Sequence, residues 1–352
     1  MGVLLGTAVG DALGLPYEGM RPVAARRRAP AHPDRFRWFG RTGYVSDDTE
    51  QALLVADALI RHPGDPAAAA RTFSRSLLWW FLRLPWGVGS ATMKACIRMV
   101  FRRHPTGIRS AGNGAAMRAA VIGVFLPGDP DGRVAFGTAL AQVTHTDPRG
   151  VAGALFVAET AAACAVAATG ADRVALVRDA VSAMNAAAAG TGWADGWDGP
   201  GGLRKQVEAA ALFGADPGID PVAAGVALGS FGFVMHTVPL AVFFLVRAGD
   251  DPVGCVGEII RSGGDTDTNA AVVGAWLGAL HGPGAFPAEL LSRLQRGPYG
   301  RGHLTRAGIA LAQAAAFGPG RPPRWSKAAA AARNVCLFPV ALSYALIRPF
   351  LR

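Results

Sequence analysis

The 352-residue chain reads as an all-α protein, and three observations carry that reading. Ala52, Leu53, Ala56, Leu59 and Ile60 recur at the spacing of one helix face, and Pro63-Gly64 ends the run. Alanine-rich stretches at 151–169, 172–189 and 305–316 hold strong helix formers with few β-branched interruptions. Strand signals are sparse. The segment Phe231–Val246 is apolar enough for a strand, but its length and Pro239 suit a buried helix equally well.

Two glycine ladders mark the helices that must come closest. Gly2, Gly6, Gly10 and Gly14 repeat every four residues, as do Gly274, Gly278 and Gly282. Glycine inside a helix costs about 1 kcal/mol against alanine. The ladders make sense where a helix face presses on another backbone and a Cβ would clash. A glycine-rich composition, 46 residues, is the competing explanation. Breaks rich in Gly and Pro fall near 127–132, 190–202, 282–287 and 317–323, and none has the length of an interdomain linker. One domain over residues 1–320 is expected, with an extension at 321–352. The extension joins Arg321, Arg324, Lys327 and Arg333 to the apolar stretch Val335–Phe350. A basic-then-apolar end suits a membrane surface. Pro339 and Pro349 interrupt it, however, and docking on the body is expected instead. Because every motif precedes the extension, its removal is expected to leave the chemistry in place.

The composition, 51% hydrophobic and 17% charged, supports a large core. No uninterrupted apolar run reaches about 18 residues, which argues against a spanning helix. Met1 leads into Gly2-Val3-Leu4-Leu5-Gly6 without the basic region or cleavage site of a signal peptide. Cys96, Cys164, Cys255 and Cys336 lie far apart with no C-x-x-C pair, so they read as buried thiols and not as a disulfide frame or zinc site. Cytoplasm is the expected compartment. A net charge of +10 raises nucleic acid as a partner. The charge is scattered arginine, clustered locally at Arg26-Arg27-Arg28, Arg98–Arg109 and the tail, with no zinc-finger, RNP or basic-zipper pattern. Nucleic acid is therefore not expected. An anionic nucleotide ligand or an acidic protein substrate suits such a surface as well.

The chemistry concentrates in two acidic clusters. Ser46-Asp47-Asp48-Thr49 stands immediately before an amphipathic helix, where Asp47 with Glu50 also makes a capping-box pattern. A cap needs one acid, not two adjacent aspartates between hydroxyls. The second cluster, Gly263-Gly264-Asp265-Thr266-Asp267-Thr268-Asn269, has the same character and precedes the helical run Ala270–Leu280. Together they offer four carboxylates and several hydroxyls, hard oxygen ligands of the kind magnesium prefers. Helix N-termini favour the ionised carboxylates. Neither has the residue order of an EF-hand loop. If the clusters converge, like charges raise one another's pKa.

These motifs, taken in order, resemble the ADP-ribosylglycohydrolase family over about 320 residues. The resemblance begins at Gly10-Asp11-Ala12-Leu13-Gly14 with Glu18, then Ser46-Asp47-Asp48-Thr49 and Pro85-Trp86-Gly87-Val88-Gly89. It continues through Ser110–Arg118, Thr144-His145-Thr146-Asp147 and His236-Thr237-Val238-Pro239 to the Gly263–Thr268 cluster. The family implies an orthogonal all-α helical bundle. It implies a pair of magnesium ions, with manganese as a substitute, held by Ser46, Asp47, Asp48, Asp265, Asp267 and Thr268, Asp267 bridging. Catalysis would then rest on Glu18, Asp48 and Asp267, Glu18 matching a loop glutamate over the distal ribose and metal. The resemblance further implies that backbone donors around Ser110–Gly112 hold the pyrophosphate, with Asn113 and Gly114 completing the loop and His145 touching the ribose. On their own residues these loop signals are weak: Gly112-Asn113-Gly114 lacks both the GxGxxG order and a Walker lysine.

The function implied is removal of ADP-ribose from a modified protein side chain or small adduct, by cleavage at the ribose anomeric carbon. Carboxylates would handle protons as in glycosidases. A metal-dependent nucleotide phosphohydrolase is one rival, and a non-catalytic ADP-ribose-binding or structural relative another. The acceptor, arginine, serine or other, lies outside the motifs. Trp79, Trp80, Trp86, Trp193 and Trp197 are candidate adenine platforms, with core packing the commoner role. Ser90 and Ser230 lack the G-x-S-x-G elbow of a serine hydrolase. The basic-apolar tail matches nothing in the well-known members of the family.

Overall fold

The glycine ladders decide where the central pair of helices meets. In the computed structural model, which describes residues 1–38, 41–168 and 170–347 without the side chains of 338 and 340–347, helices Gly2–Gly14 and Thr266–His281 run antiparallel, backbone against backbone. A Cβ on Gly6 would collide with the Gly274 carbonyl, and one on Gly10 with that of Ala270. The ladders are thus close-packing devices except at Gly282, where a Cβ would meet open space and which instead ends the helix at a φ of 73°. Every residue of Gly2–Gly14 is buried, so this pair forms the floor on which the remaining helices pack.

Those helices begin where the sequence supplies caps. Asp65, Asp129, Asp147, Asp220 and Asp251 each accept a backbone N–H two or three residues on, and each is followed by a proline that opens the helix. The three alanine-rich stretches become helices Pro148–Val166, Arg173–Ala188 and Arg301–Phe317; residue 169 lies outside the described residues. The ambiguous apolar segment is helix Val234–Arg247, with Pro239 in its interior and both faces buried. Burial on all sides removes the periodicity that would have distinguished helix from strand. The break at 190–202 contains a short helix, Ala194–Asp198. It is held by Trp197, whose ring stacks on Phe156 at 5.6 Å and whose Nε1 donates to Asn185 at 2.8 Å. Among the described residues there is no strand, only three isolated bridges, so the fold is all-α as the sequence predicts.

Helix Pro148–Val166 is long and apolar enough to cross a membrane, yet 78% of that stretch is buried within the fold. Its apolar surface is consumed by neighbours such as Trp276, set edge-on to Phe156 at 6.4 Å. Three cysteines are buried as expected, whereas Cys336 is exposed because it lies on the outward side of the C-terminal helix Lys327–Ile347. The extension meets the body through Trp325, which packs on Tyr299 and His303. Buried Ala330 and Asn334, whose amide donates to the Arg83 carbonyl at 2.9 Å, continue that contact. Residues 348–350 of the apolar stretch lie outside the described residues.

Candidate active site

The first acidic cluster is shaped by a residue from another helix. Asp11, fully buried on helix Gly2–Gly14, accepts the Ser46 N–H at 3.0 Å, the Thr49 N–H at 3.2 Å and the Thr49 hydroxyl at 2.5 Å. It therefore braces the start of helix Asp47–Arg61. The helix cap itself is Ser46, whose Oγ accepts the Asp48 N–H at 3.3 Å. Asp47 is not the cap that the capping-box pattern implied. It is already inside the first turn, its Oδ2 accepting from Gln51 at 2.9 Å. Freed from capping, Asp48 joins Asp11 at a buried acidic point, while Asp47 lines the cavity beside it.

The second cluster reaches that point from the opposite side. Gly263 and Gly264 take left-handed φ of 68° and 75°, turning the chain so that Asp265 starts helix Thr266–His281. The Thr268 hydroxyl donates to Asp48 Oδ2 at 3.2 Å, beside the Ser46 hydroxyl at 3.1 Å on the same oxygen. Asp265 is held by the Asn113 amide at 2.7 Å, which also donates to Thr237 at 2.9 Å. Glu18 arrives on a turn whose Gly19 N–H donates to the Gly264 carbonyl at 2.5 Å, placing its carboxylate in the field of Asp47 and Asp267. Two segments far apart in sequence thus make one acidic centre.

Its electrostatics fit a cation. Oxygens of Asp11, Asp48 and Asp267 lie within 4.8 Å of one another. Burial, first, and then neighbouring carboxylates push the carboxyls of Asp47, Asp48 and Asp267 well above the usual range. Charge repulsion was the effect expected from sequence; burial proves the larger one. Asp11 is pushed up to about 7 by burial, against the hydrogen bonds it accepts. Asp48 Oδ1 and Asp267 Oδ1 are buried with no hydrogen-bond partner, which is costly for acceptors in a dry site unless a cation or proton meets them. The donors are all hard oxygens, the set magnesium takes. Asp11 has most of its lone pairs committed to backbone and hydroxyl donors, so we assign it first to bracing and only second to ligation.

A cavity of about 550 Å³ opens onto this centre. Glu18, Asp47, Asp265, Asp267 and Thr268 line its acidic end, and Ser110, Gly112, Asn113, Gly114 and His145 face them. Asp48 and Ser46 sit behind that surface. Bridges Ile108↔His145 and Gly112↔Phe233 pin the facing loop to its neighbours. The Gly112 N–H donates to Ser110 Oγ at 3.2 Å. A Cβ on Gly114 would come within 3.0 Å of the His145 ring, so the loop must be built from small residues there. Burial, with Arg118 nearby, pushes His145 down to about 3, leaving the imidazole neutral. Its Nδ1 lies 2.7 Å from the Thr144 hydroxyl, so Nε2 is the nitrogen toward the cavity.

Sequence reasoning missed several residues of this arrangement. Asp11 stood inside a quoted motif with no role given to it. So did Arg118, fully buried, which donates to Gln51 at 2.7 Å, to the Gly114 carbonyl at 2.6 Å and to Thr144 at 2.7 Å. It ties the first cluster, through Gln51 and Asp47, to the loop and to His145. None of the five candidate tryptophans lines the cavity: Trp80, Trp193 and Trp197 are core, Trp79 is on a distant surface, and Trp86 stacks on Trp38 at 4.7 Å. The aromatic ring at the rim is the exposed Phe231.

Comparison with known proteins gives the chain a family and a fold relative. A family model described as ADP-ribosylglycohydrolase matches residues 1–321. The chain is 30% identical over 318 residues to the uncharacterized protein YegU of Escherichia coli (strain K12), covering 84% of this chain and 91% of that one. It is 25% identical over 301 residues to the ADP-ribosyl-[dinitrogen reductase] glycohydrolase of Rhodospirillum rubrum, covering 84% and 89%. A solved structure titled "ADP-ribosylglycohydrolase-related protein complex" has the same fold, with a TM-score of 0.60 at 23% identity over 89% of this chain and 96% of that one. The family match runs from the glycine ladder of the first helix through both acidic clusters, and on that ground the chain belongs to the ADP-ribosylglycohydrolase family.

Proposed function

We propose that the protein is a magnesium-dependent hydrolase that frees ADP-ribose by breaking the bond between the ribose anomeric carbon and its acceptor. The family supports ADP-ribose removal. The observation that supports magnesium is the pair of buried, unpartnered carboxylate oxygens on Asp48 and Asp267, two residues that bring carboxylate oxygens within 4.8 Å of each other where two helices start. Ser46, Asp47, Asp48, Asp265, Asp267 and Thr268 would hold two ions, with Asp11 behind them. When bound, the metal supplies positive charge that orients the ribose diol and makes a water more acidic.

The protein's own residues account for the rest. Glu18, which lines the cavity within the electrostatic reach of Asp267, would accept the proton of the attacking water and return one to the departing acceptor. Asn113 fixes Asp265 by its 2.7 Å bond, which sets the acidic end before substrate arrives. Gly112 and Gly114 leave room for phosphates to approach backbone. A neutral His145 offers one ring nitrogen to a ribose hydroxyl without adding charge. The acceptor would lie at the cavity mouth. Arginine-, serine- and nucleobase-linked ADP-ribose should each be offered with magnesium and with chelator. Metal-dependent release of ADP-ribose from any of them supports the reading; release of phosphate would replace it with a nucleotide phosphohydrolase, and binding without release with a non-catalytic relative.

A further inference from the structure

Helix Asp47–Arg61 carries the first acidic cluster at its start and helps to enclose a second cavity at its other end. That cavity, about 340 Å³, is walled by the same helix, by helix Pro66–Phe81 and by the C-terminal extension. Its volume falls within the roughly 300–1,000 Å³ typical of small-molecule sites. Arg61, Arg83, Arg324 and Lys327 line it, and so do the indoles of Trp79 and Trp325. The first cavity has the opposite character, with four acidic side chains in its wall.

We propose that this second cavity binds a small ligand in which a phosphate group is joined to a flat aromatic ring, a mononucleotide being the class that fits. Four cations against one acid, Asp57, give the wall a positive excess that an anion would offset. Arg83 already lies over the Trp325 ring at 5.2 Å, so those two groups are pre-ordered as one face. Trp79 is 62% exposed, an unusual state for a ring of its size, and it offers a stacking surface that no other described aromatic covers. Asp57 supplies a further requirement. Its Oδ1 is buried with no hydrogen-bond partner, and burial pushes the carboxyl up to about 7. A hydroxyl or exocyclic amine, both of which a nucleotide carries beside its phosphate, would satisfy it once the carboxylate turned toward the cavity that Asp57 lines. Arg324, Trp325 and Lys327 lie beyond the family match at residues 1–321, so the site depends on this chain's own extension.

The test is a binding titration of the full-length protein with AMP, adenosine and inorganic phosphate, repeated on Trp79→Leu and on the double variant Arg324→Ala/Lys327→Ala. These residues are exposed or at a rim, and none belongs to the first cavity. AMP should bind the wild-type protein, and each variant should weaken it about tenfold or more, as loss of a stack or of phosphate contacts does. ADP-ribose release at saturating substrate should be unchanged in both. AMP binding that is absent, or that stays within about threefold of wild type in either variant, overturns the proposal, since AMP in the first cavity would ignore these changes. Adenosine or phosphate binding as tightly as AMP would overturn it too, because recognition would then not join ring and anion.

Discussion

Thr268 donates its hydroxyl to Asp48 Oδ2 at 3.2 Å, a bond between residues 220 positions apart that closes the two acidic clusters into one centre. The Ser46 hydroxyl shares that oxygen at 3.1 Å, so Oδ2 is committed to the two helix starts while Oδ1 is buried without a hydrogen-bond partner. Asp48→Asn and Asp267→Asn keep the size of each side chain and remove a carboxylate from the acidic centre. Each should lower turnover on the order of a hundredfold or more, given that even outer partners of metal ligands cost 10–100-fold. Circular dichroism should show the helical fold retained. Near-normal turnover in either variant at limiting magnesium would remove the shared site.

Glu18 stands on a turn pinned to Gly264 and lines the cavity. Glu18→Gln should therefore reduce turnover strongly while ADP-ribose affinity stays within about tenfold, because proton handling acts in the transition state and ligand binding draws on the loop and metal. Single-turnover rates and equilibrium binding separate the two. Unchanged turnover with lost affinity would reverse the assignment.

The extension is more than an appendage. Arg333 pairs with Glu50, a fully buried carboxylate in the first turn of helix Asp47–Arg61 that also accepts the Trp80 indole N–H at 2.6 Å. Arg333 lies over the Tyr299 ring at 5.1 Å as well. Removing residues after Gly320 leaves every motif in place, yet it strips the counter-charge from a carboxylate beside Asp48. Arg333→Met should destabilise by about 3–5 kcal/mol, the cost of breaking a buried pair. The double variant Arg333→Met/Glu50→Gln should recover a large part of that, a coupling readable in denaturant midpoints. Additive losses would show that the pair is not coupled.

His303 gives the stability a pH dependence of known sign. Burial pushes it down to about 4 in the folded protein, from an ordinary 6.5. Between those values the unfolded chain binds a proton that the folded chain refuses. Its contribution is therefore present above about pH 6.5 and is lost as pH falls toward 4, by up to about 1.4 kcal/mol per pH unit. His303→Asn keeps an acceptor for the Tyr299 N–H, which His303 Nδ1 takes at 3.2 Å. The variant's stability relative to wild type should rise over that interval as pH falls. A difference that stays constant from pH 7 to 4 would place the neutral imidazole in doubt.

What was legible from sequence had a local signature. The glycine ladders, the alanine-rich runs and the paired acids at two helix starts are patterns within a few residues, and each has its counterpart in the structure. Asp11 was not legible, because it sits in an apolar helix and its role is set by Ser46 and Thr49, residues distant in sequence. Arg118 was hidden likewise: a buried guanidinium is recognised only by what surrounds it. The tryptophans could be assigned to the core only as the commoner role, because stacking platforms and core rings share one residue type, and burial alone separates Trp197 from Trp79. Helix Val234–Arg247 stayed ambiguous because a helix buried on all sides has no polar stripe to set its period.

The central claim, that Asp48 and Asp267 hold magnesium in one folded centre, is tested most directly by thermal melts of wild type and Asp267→Asn, each in chelator and in rising magnesium. On the proposed reading magnesium would bind the folded arrangement and not an unfolded chain in which the clusters separate. Wild type should gain about 2.7 kcal/mol when free metal is about a hundredfold above its dissociation constant. Asp267→Asn removes one repelling charge together with a ligand. It should melt at or above wild type in chelator and gain little from metal. A wild type indifferent to millimolar magnesium, or a variant that gains as much as wild type, would contradict the account.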